Sequence, residues 1–133
     1  MQNATLDTAK MYLVLRDDVD DKFLAGLVLN SAALKSTHDA SLIRGVSITK
    51  KSSEDGVDFV SRYFAPWNGI PEDPVNGSSH TNLTPYWSAR LGKRMLTAKM
   101  LSKRTGVLHL EALGDFTGIG GNAVIVNAGN ILV

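Results

Sequence analysis

The sequence contains no cysteine. That single absence removes disulfide scaffolds, zinc ribbons, thiolate nucleophiles and thiol acid/base pairs, so any chemistry must run through oxygen and nitrogen. No apolar run approaches the ~20 residues of a membrane-spanning helix, and Met1-Gln2-Asn3-Ala4 opens neither a basic signal peptide nor a transit sequence. A cytoplasmic location is the expectation, and there the sequons beginning at Asn3, Asn76 and Asn82 are chemically idle. Neither sign of charge is in excess: 14 Lys and Arg against 13 Asp and Glu leave a net +1. Nucleic acid and membrane surfaces are therefore not expected as partners. His38, His80 and His109 lack metal-ligand spacing, so no metal is expected. Heptads, solenoid repeats and low-complexity tracts are also missing.

What is there fits one domain spanning residues 1–133, with 44% apolar and 20% charged residues. A chain of this size and balance builds a core without staples. Residues 11–15 form a short apolar run that reads as a strand buried on both faces. Behind the acidic stretch 17–21, Phe23, Leu24, Leu27 and Val28 recur at helical spacing and predict a short helix weakened by Gly26. Residues 45–49 and 58–64 alternate with period two, as strands do. Strands are also predicted over 95–101, 106–113, 123–126 and 130–133, with a hairpin turn over 127–130. Gly118-Ile119-Gly120-Gly121 superficially resembles a phosphate loop but lacks a following helix and a Lys-Ser/Thr, so it reads as a turn between strands.

Residues 78–91 predict a long helix. Ser78 or Ser79 can cap it; Leu83, Trp87 and Leu91 form an i, i+4, i+8 stripe; Gly92 with Lys93 and Arg94 stops it. Pro85 inside the pattern costs a hydrogen bond and predicts a kink near Thr81. Trp67 and Trp87 are both candidates to line a pocket, with Trp87, on the stripe, reading rather as core. With most strands flanking this one helix, the expected fold is α+β, a strongly curved and mostly antiparallel sheet wrapped around a central helix.

Residues 65–77 hold three of the four prolines and two of the twelve glycines. Ring-locked φ angles suit a rigid loop that presents side chains in fixed positions. Within it, Asp73 precedes Asn76-Gly77-Ser78, where the chain enters the long helix. The first amides of a helix are unpaired donors at the positive end of its dipole, and Gly77 permits close approach, so a ligand carboxylate can be held there while a nearby carboxyl moves a proton. The plainer alternative makes Ser78 a cap and Asp73 a turn residue. His80, in the first turn, reads as an anion contact or acid, or as a capping or packing histidine.

Phe64-Ala65-Pro66-Trp67, Gly69-Ile70-Pro71-Glu72-Asp73-Pro74-Val75, Gly77-Ser78, His80 and Leu83-Thr84-Pro85-Tyr86-Trp87 together resemble the signature of the PhzF-like (phenazine-biosynthesis-like) isomerases. The similarity continues in the family's order through Arg44-Gly45-Val46, Arg90-Leu91-Gly92-Lys93, Ser102-Lys103-Arg104 and Gly121-Asn122-Ala123-Val124, and covers nearly the whole chain. It corresponds to the family's C-terminal half. It implies a diaminopimelate-epimerase-like fold of two pseudo-symmetric halves with the active site in the cleft between them. By the same resemblance Asp73 lines that cleft as a catalytic residue, Gly77 and Ser78 hold substrate with Asn76 and His80 beside them, and no cofactor is used. The family's principal catalytic glutamate belongs to the other half, and no segment here corresponds to it. The family pattern usually carries Thr, Ala, Gln and Gly where this chain has Asn76, Ser79, Met100 and Thr105. Met100 matters if it faces the cleft and is harmless if it faces the core.

Two functions follow as expectations. One is a cofactor-independent isomerase or epimerase-type half-site moving a proton on a small carboxylate, completed by a second copy or a complementary half-domain. The alternative is a non-catalytic binding or interaction module, or a truncated relative of the family.

Overall fold

A computed structural model describes residues 3–7, 9–37 and 39–130. In chain order the elements are β1 (Asn3–Asp7), β2 (Lys10–Val14), α1 (Asp21–Gly26), α2 (Ser31–Lys35), β3 (Gly45–Lys51), β4 (Phe59–Ala65), a 3-10 turn (Pro66–Asn68), β5 (Ile70–Asp73), α3 (Gly77–Leu91), β6 (Met95–Met100), β7 (Gly106–Leu113) and β8 (Phe116–Gly120). The strands form one sheet in the order β1-β2-β3-β4-β6-β7-β8, with β5 also on β4. The β2–β3 and β4–β6 pairs are parallel and the other five antiparallel. The architecture is thus the expected α+β one, a mostly antiparallel sheet curled into a half-barrel about its long helix.

Alternation along the strands divides the side chains between two cores. On the inner face Phe59, Tyr63, Leu96, Ala98, Met100, Leu108 and Leu110 enclose Leu83 and Trp87 of α3. Trp87 is fully buried, stacks on Phe59 at 5.4 Å, meets the edge of Tyr86 at 5.3 Å and donates its indole N–H to Thr49 Oγ1 at 3.1 Å. Truncating a buried Trp typically costs about 3–5 kcal/mol, so this residue carries a large share of a marginal total stability. On the outer face α1, α2 and the 3-10 turn cover Val46, Ile48, Val60 and Phe64. Trp67 packs into this second core.

The long helix stops where its sequence predicts, at Gly92 in the left-handed region (φ 64°), whose N–H bonds the Ser88 carbonyl. It runs through Pro85 as one element. The Thr81 carbonyl, which the proline cannot serve, instead accepts from Thr117 Oγ1 of β8 at 3.3 Å.

Other expectations need correction. The helix begins at Gly77, and its N-cap is Asn76 rather than Ser78 or Ser79, because the extended backbone of Asn76 lets its Oδ1 accept the Ser79 N–H at 2.7 Å. The glycine-rich stretch read as a turn is largely strand: Phe116–Gly120 is β8, laddered antiparallel on β7. The stretch read as an uninterrupted rigid loop contains the 3-10 turn and β5. Residues 123–126 form no strand and 127–130 no turn. Residues 131–133 of the last predicted strand, and His38, lie outside the described residues. Strand β1 and helix α2 had no counterpart in the sequence reading.

Candidate active site

The site begins with how β4 changes partners. Its first half, Phe59 to Ser61, pairs with β6, while Tyr63 and Ala65 pair with β5 across a register shift. Glu72 and Asp73 end β5, and adjacent strand residues point to opposite faces. Glu72 goes to the outer face. There Arg62 grips it with two bonds, Nε to Oε1 at 2.6 Å and a terminal nitrogen to Oε2 at 2.9 Å. The remaining terminal nitrogen of Arg62 donates to the carbonyls of Leu24, Ala25 and Leu27 at the end of α1. This carboxylate is committed to structure.

Asp73 lies opposite Tyr63, at the approach to α3. Its Oδ1 accepts the Val75 N–H at 3.2 Å and its Oδ2 accepts from Asn76 Nδ2 at 2.8 Å. Asn76 is a hub with every polar group engaged. Its side-chain oxygen takes the Ser79 N–H and, at 3.2 Å, the Ser78 hydroxyl. Its own N–H donates to Met100 Sδ at 2.9 Å, and its carbonyl faces His80 Nδ1 at 2.6 Å. Asn76 and Met100, distant in sequence, therefore touch. Met100 faces the core, fully buried, and its sulfur supplies the acceptor the loop needs.

His80 is fully buried beneath the helix, stacked on Phe59 at 5.8 Å. Because the Asn76 carbonyl can only accept, Nδ1 carries the proton, which leaves Nε2 to face Ser61 Oγ at 3.5 Å. Burial pushes its pKa from 6.5 down to about 4, against the opposing effect of the Asn76 bond, so the ring is neutral at pH 7. The structure brings Asp73, Asn76, Gly77, Ser78 and His80 together at one helix end but places His80 under the surface that a ligand would meet. Ser78 is exposed and Gly77 half-buried, with open space where a side chain would start. On the adjoining side a cleft of about 600 Å³ runs past Val75, Gly77, Gly106, Ile119 and Gly121, with exposed Thr105 on its rim.

His109 is exposed on β7, and among the described residues no group of three His, Asp or Glu side chains is placed to hold a metal ion. Sequence reasoning missed Asn76 as the cap and Lys10, whose Nζ donates to the Ser78 carbonyl at 3.2 Å. Asn76 was legible as a common capping residue one position before Gly77. Lys10 had no such signal, since 68 residues separate it from its partner.

Comparison with known proteins bears on the fold and the family. Residues 9–129 match the phenazine biosynthesis-like protein family. A mouse phenazine biosynthesis-like domain-containing protein is 42% identical over 130 residues, 94% of this chain and 45% of that protein. A protein of Pseudomonas aeruginosa named as an uncharacterized isomerase is 42% identical over 120 residues, 90% of this chain and 43% of that protein. The crystal structure of a phenazine biosynthesis PhzC/PhzF protein from Clostridium difficile superposes with a TM-score of 0.76 at 38% identity, covering 96% of this chain and 46% of that one. The chain spans a little under half the length of these relatives. It belongs to the phenazine biosynthesis-like (PhzC/PhzF) family.

Proposed function

We propose, from that membership and from the geometry at the head of α3, that the chain is the C-terminal half of a cofactor-independent isomerase or epimerase-type enzyme moving a proton on a small carboxylate substrate. The observation that carries the reading is the placement of Asp73. It is the carboxylate at the entrance to α3, no cation pairs with it among the described residues, and two donors fix its orientation beside exposed Ser78. In this role Asp73 exchanges a proton with a carbon next to an unsaturated or carbonyl-bearing centre, while the Gly77 and Ser78 backbone and the Ser78 hydroxyl hold the substrate carboxylate. Asn76 aims Asp73. His80, neutral and buried, acts through Asn76 rather than on substrate.

A proton removed at one face and returned at another needs a second group, which on this reading comes from a complementary half-domain or a second copy. Val124, Ile125 and Val126, 85–94% exposed in an apolar run, favour such an assembly. A non-catalytic binding module, or a truncated relative, is the second reading. What favours it is that Glu72, beside Asp73 in the chain, is locked to Arg62 and cannot serve as the partner acid.

Solvent deuterium uptake tests the choice. In D₂O, with small carboxylates bearing an acidic C–H, uptake should appear, should require the assembled dimer or an added half-domain, and should fall further than binding in Asp73→Asn. Ser78→Ala should weaken binding more than turnover. Uptake unchanged in Asp73→Asn removes Asp73 from the mechanism, and uptake by a proven monomer removes the shared cleft. Binding without uptake under every condition selects the binding module.

A further inference from the structure

Asn76 is tied to the sheet through both ends of its backbone, and the two ties end on neighbouring residues. Ser61 of β4 and Met100 of β6 stand opposite one another in the parallel ladder, 1% and 0% exposed. Met100 Sδ accepts the Asn76 N–H at 2.9 Å. The other tie runs through His80, whose Nδ1 donates to the Asn76 carbonyl at 2.6 Å and whose Nε2 stands 3.5 Å from Ser61 Oγ. With the proton on Nδ1, Nε2 can only accept, so the Ser61 hydroxyl is the donor.

Packing alone gives no reason for the second tie. His80 shares the buried stripe of α3 with Leu83 and Trp87 at i, i+3 and i+7, where an aliphatic side chain could cover Phe59 as the imidazole does. Ser61 lies between Phe59 and Tyr63 on the inner face of β4, a position that alternation assigns to the core. Replacing two buried hydrogen-bonded partners together by apolar groups of the same shape is nearly neutral for stability, so the fold by itself has little use for this hydroxyl and this ring. What they reach is Asn76, and from Asn76 the bonds leave the core. Its Nδ2 donates to Asp73 Oδ2 at 2.8 Å, and its Oδ1 accepts from the Ser78 hydroxyl at 3.2 Å.

We propose that Ser61 and Met100 are positioning residues of this site. As a cross-strand pair they clamp the backbone of Asn76 from its two ends, Met100 directly and Ser61 through His80, and so hand the geometry of the sheet to Asp73 and the Ser78 hydroxyl. Neither residue touches a reacting atom. The use of the clamp in a reaction rests on the roles given above to Asp73 and Ser78.

The test is nuclear magnetic resonance on the full chain, with urea unfolding as the control for packing. In the unsubstituted protein the ring nitrogens of His80 should show Nδ1 protonated and Nε2 bare at pH 7. A proton on Nε2 breaks the chain of bonds and overturns the proposal without any variant. Met100→Leu keeps the volume and removes the acceptor, so the Asn76 amide should exchange with solvent about tenfold faster, the loss of one hydrogen bond. Ser61→Ala should move the His80 Nε2 resonance, and Ser61→Thr, which keeps the hydroxyl, should return it. Both Ser61→Ala and Met100→Leu should move the Asp73 carboxyl carbon-13 resonance toward its position in Asn76→Ala. A lowered urea midpoint with the Asp73 carboxyl unmoved in both variants makes the two residues packing alone and overturns the proposal, while leaving the role of Asp73 standing. An Asp73 carboxyl that moves as expected, in a protein that takes up no deuterium into any carboxylate, upholds the clamp and removes the proton-transfer reading instead.

Discussion

On the outer face of β4 and β5 every charge is closed into a structural tie. Arg62 joins Glu72 to the end of α1, and buried Lys50 pairs with Asp21 at the start of the same helix, so a six-residue helix is held at both ends by ions. On the inner face, one residue further along, Asp73 and Asn76 are held by neutral donors and acceptors, with Ser78 open to solvent beside them. The difference teaches how a short strand serves two purposes. Pinning Glu72 on one side immobilises the backbone of β5, and alternation then delivers Asp73 to the other side in a fixed position, where no cation pairs with it among the described residues.

The strongest way to break that contrast is at Arg62. Arg62→Met strands a mostly buried carboxylate and leaves the carbonyls of Leu24, Ala25 and Leu27 without their donor, for an expected loss of about 3–5 kcal/mol in urea unfolding. A loss below ~1 kcal/mol, the scale of an exposed pair, would mean that solvent rather than Arg62 holds the outer face.

The inner face should answer to pH through His80. Its folded pKa of about 4 lies below the unfolded value of 6.5, so the unfolded chain binds the proton first. The contribution is complete above about pH 6.5, is lost progressively as the pH falls toward about 4, and changes no further below that. It amounts to something on the order of 3 kcal/mol. His80→Asn, which can still donate to the Asn76 carbonyl, should flatten stability between those two pH values. An unchanged slope would assign it to other groups.

The smallest effect separates capping from aiming. Asn76→Ala removes the helix cap and should cost about 1 kcal/mol. Asn76→Ser keeps a capping oxygen but lacks the amide that reaches Asp73. It should therefore restore most of the stability while leaving the Asp73 carboxyl as altered, by its carbon-13 shift, as in Asn76→Ala. If the two variants share both properties, the bond from Asn76 to Asp73 orients nothing.

Much of the inner half was legible. Leu83, Trp87 and Leu91 announce a helix that must be enclosed, Gly92 announces its end, and the alternation of 58–64 announces β4, because each is a local pattern with a fixed period. The failures are equally physical. Gly118 and Gly120 look like turn residues until β7 offers a ladder, and only then do they become the small residues that lie over Glu111 and His109. In 123–126 the strand pattern is present, but no neighbouring strand pairs with it among the described residues. A period predicts a strand's shape, and pairing decides whether it is one.

By itself, then, the sequence determined the class of fold, the central helix and the segment that heads it, since helix stripes, glycine stops and proline-rich rigidity act over a few residues. Only the tertiary structure decided which acid is free. Glu72 and Asp73 are chemically near twins in adjacent positions, and what separates them is a guanidinium ten residues away on β4, brought across by strand pairing. The same holds for Lys10, whose ammonium meets the Ser78 carbonyl across 68 residues of sequence. Such meetings depend on distances through space, and no spacing along the chain encodes them.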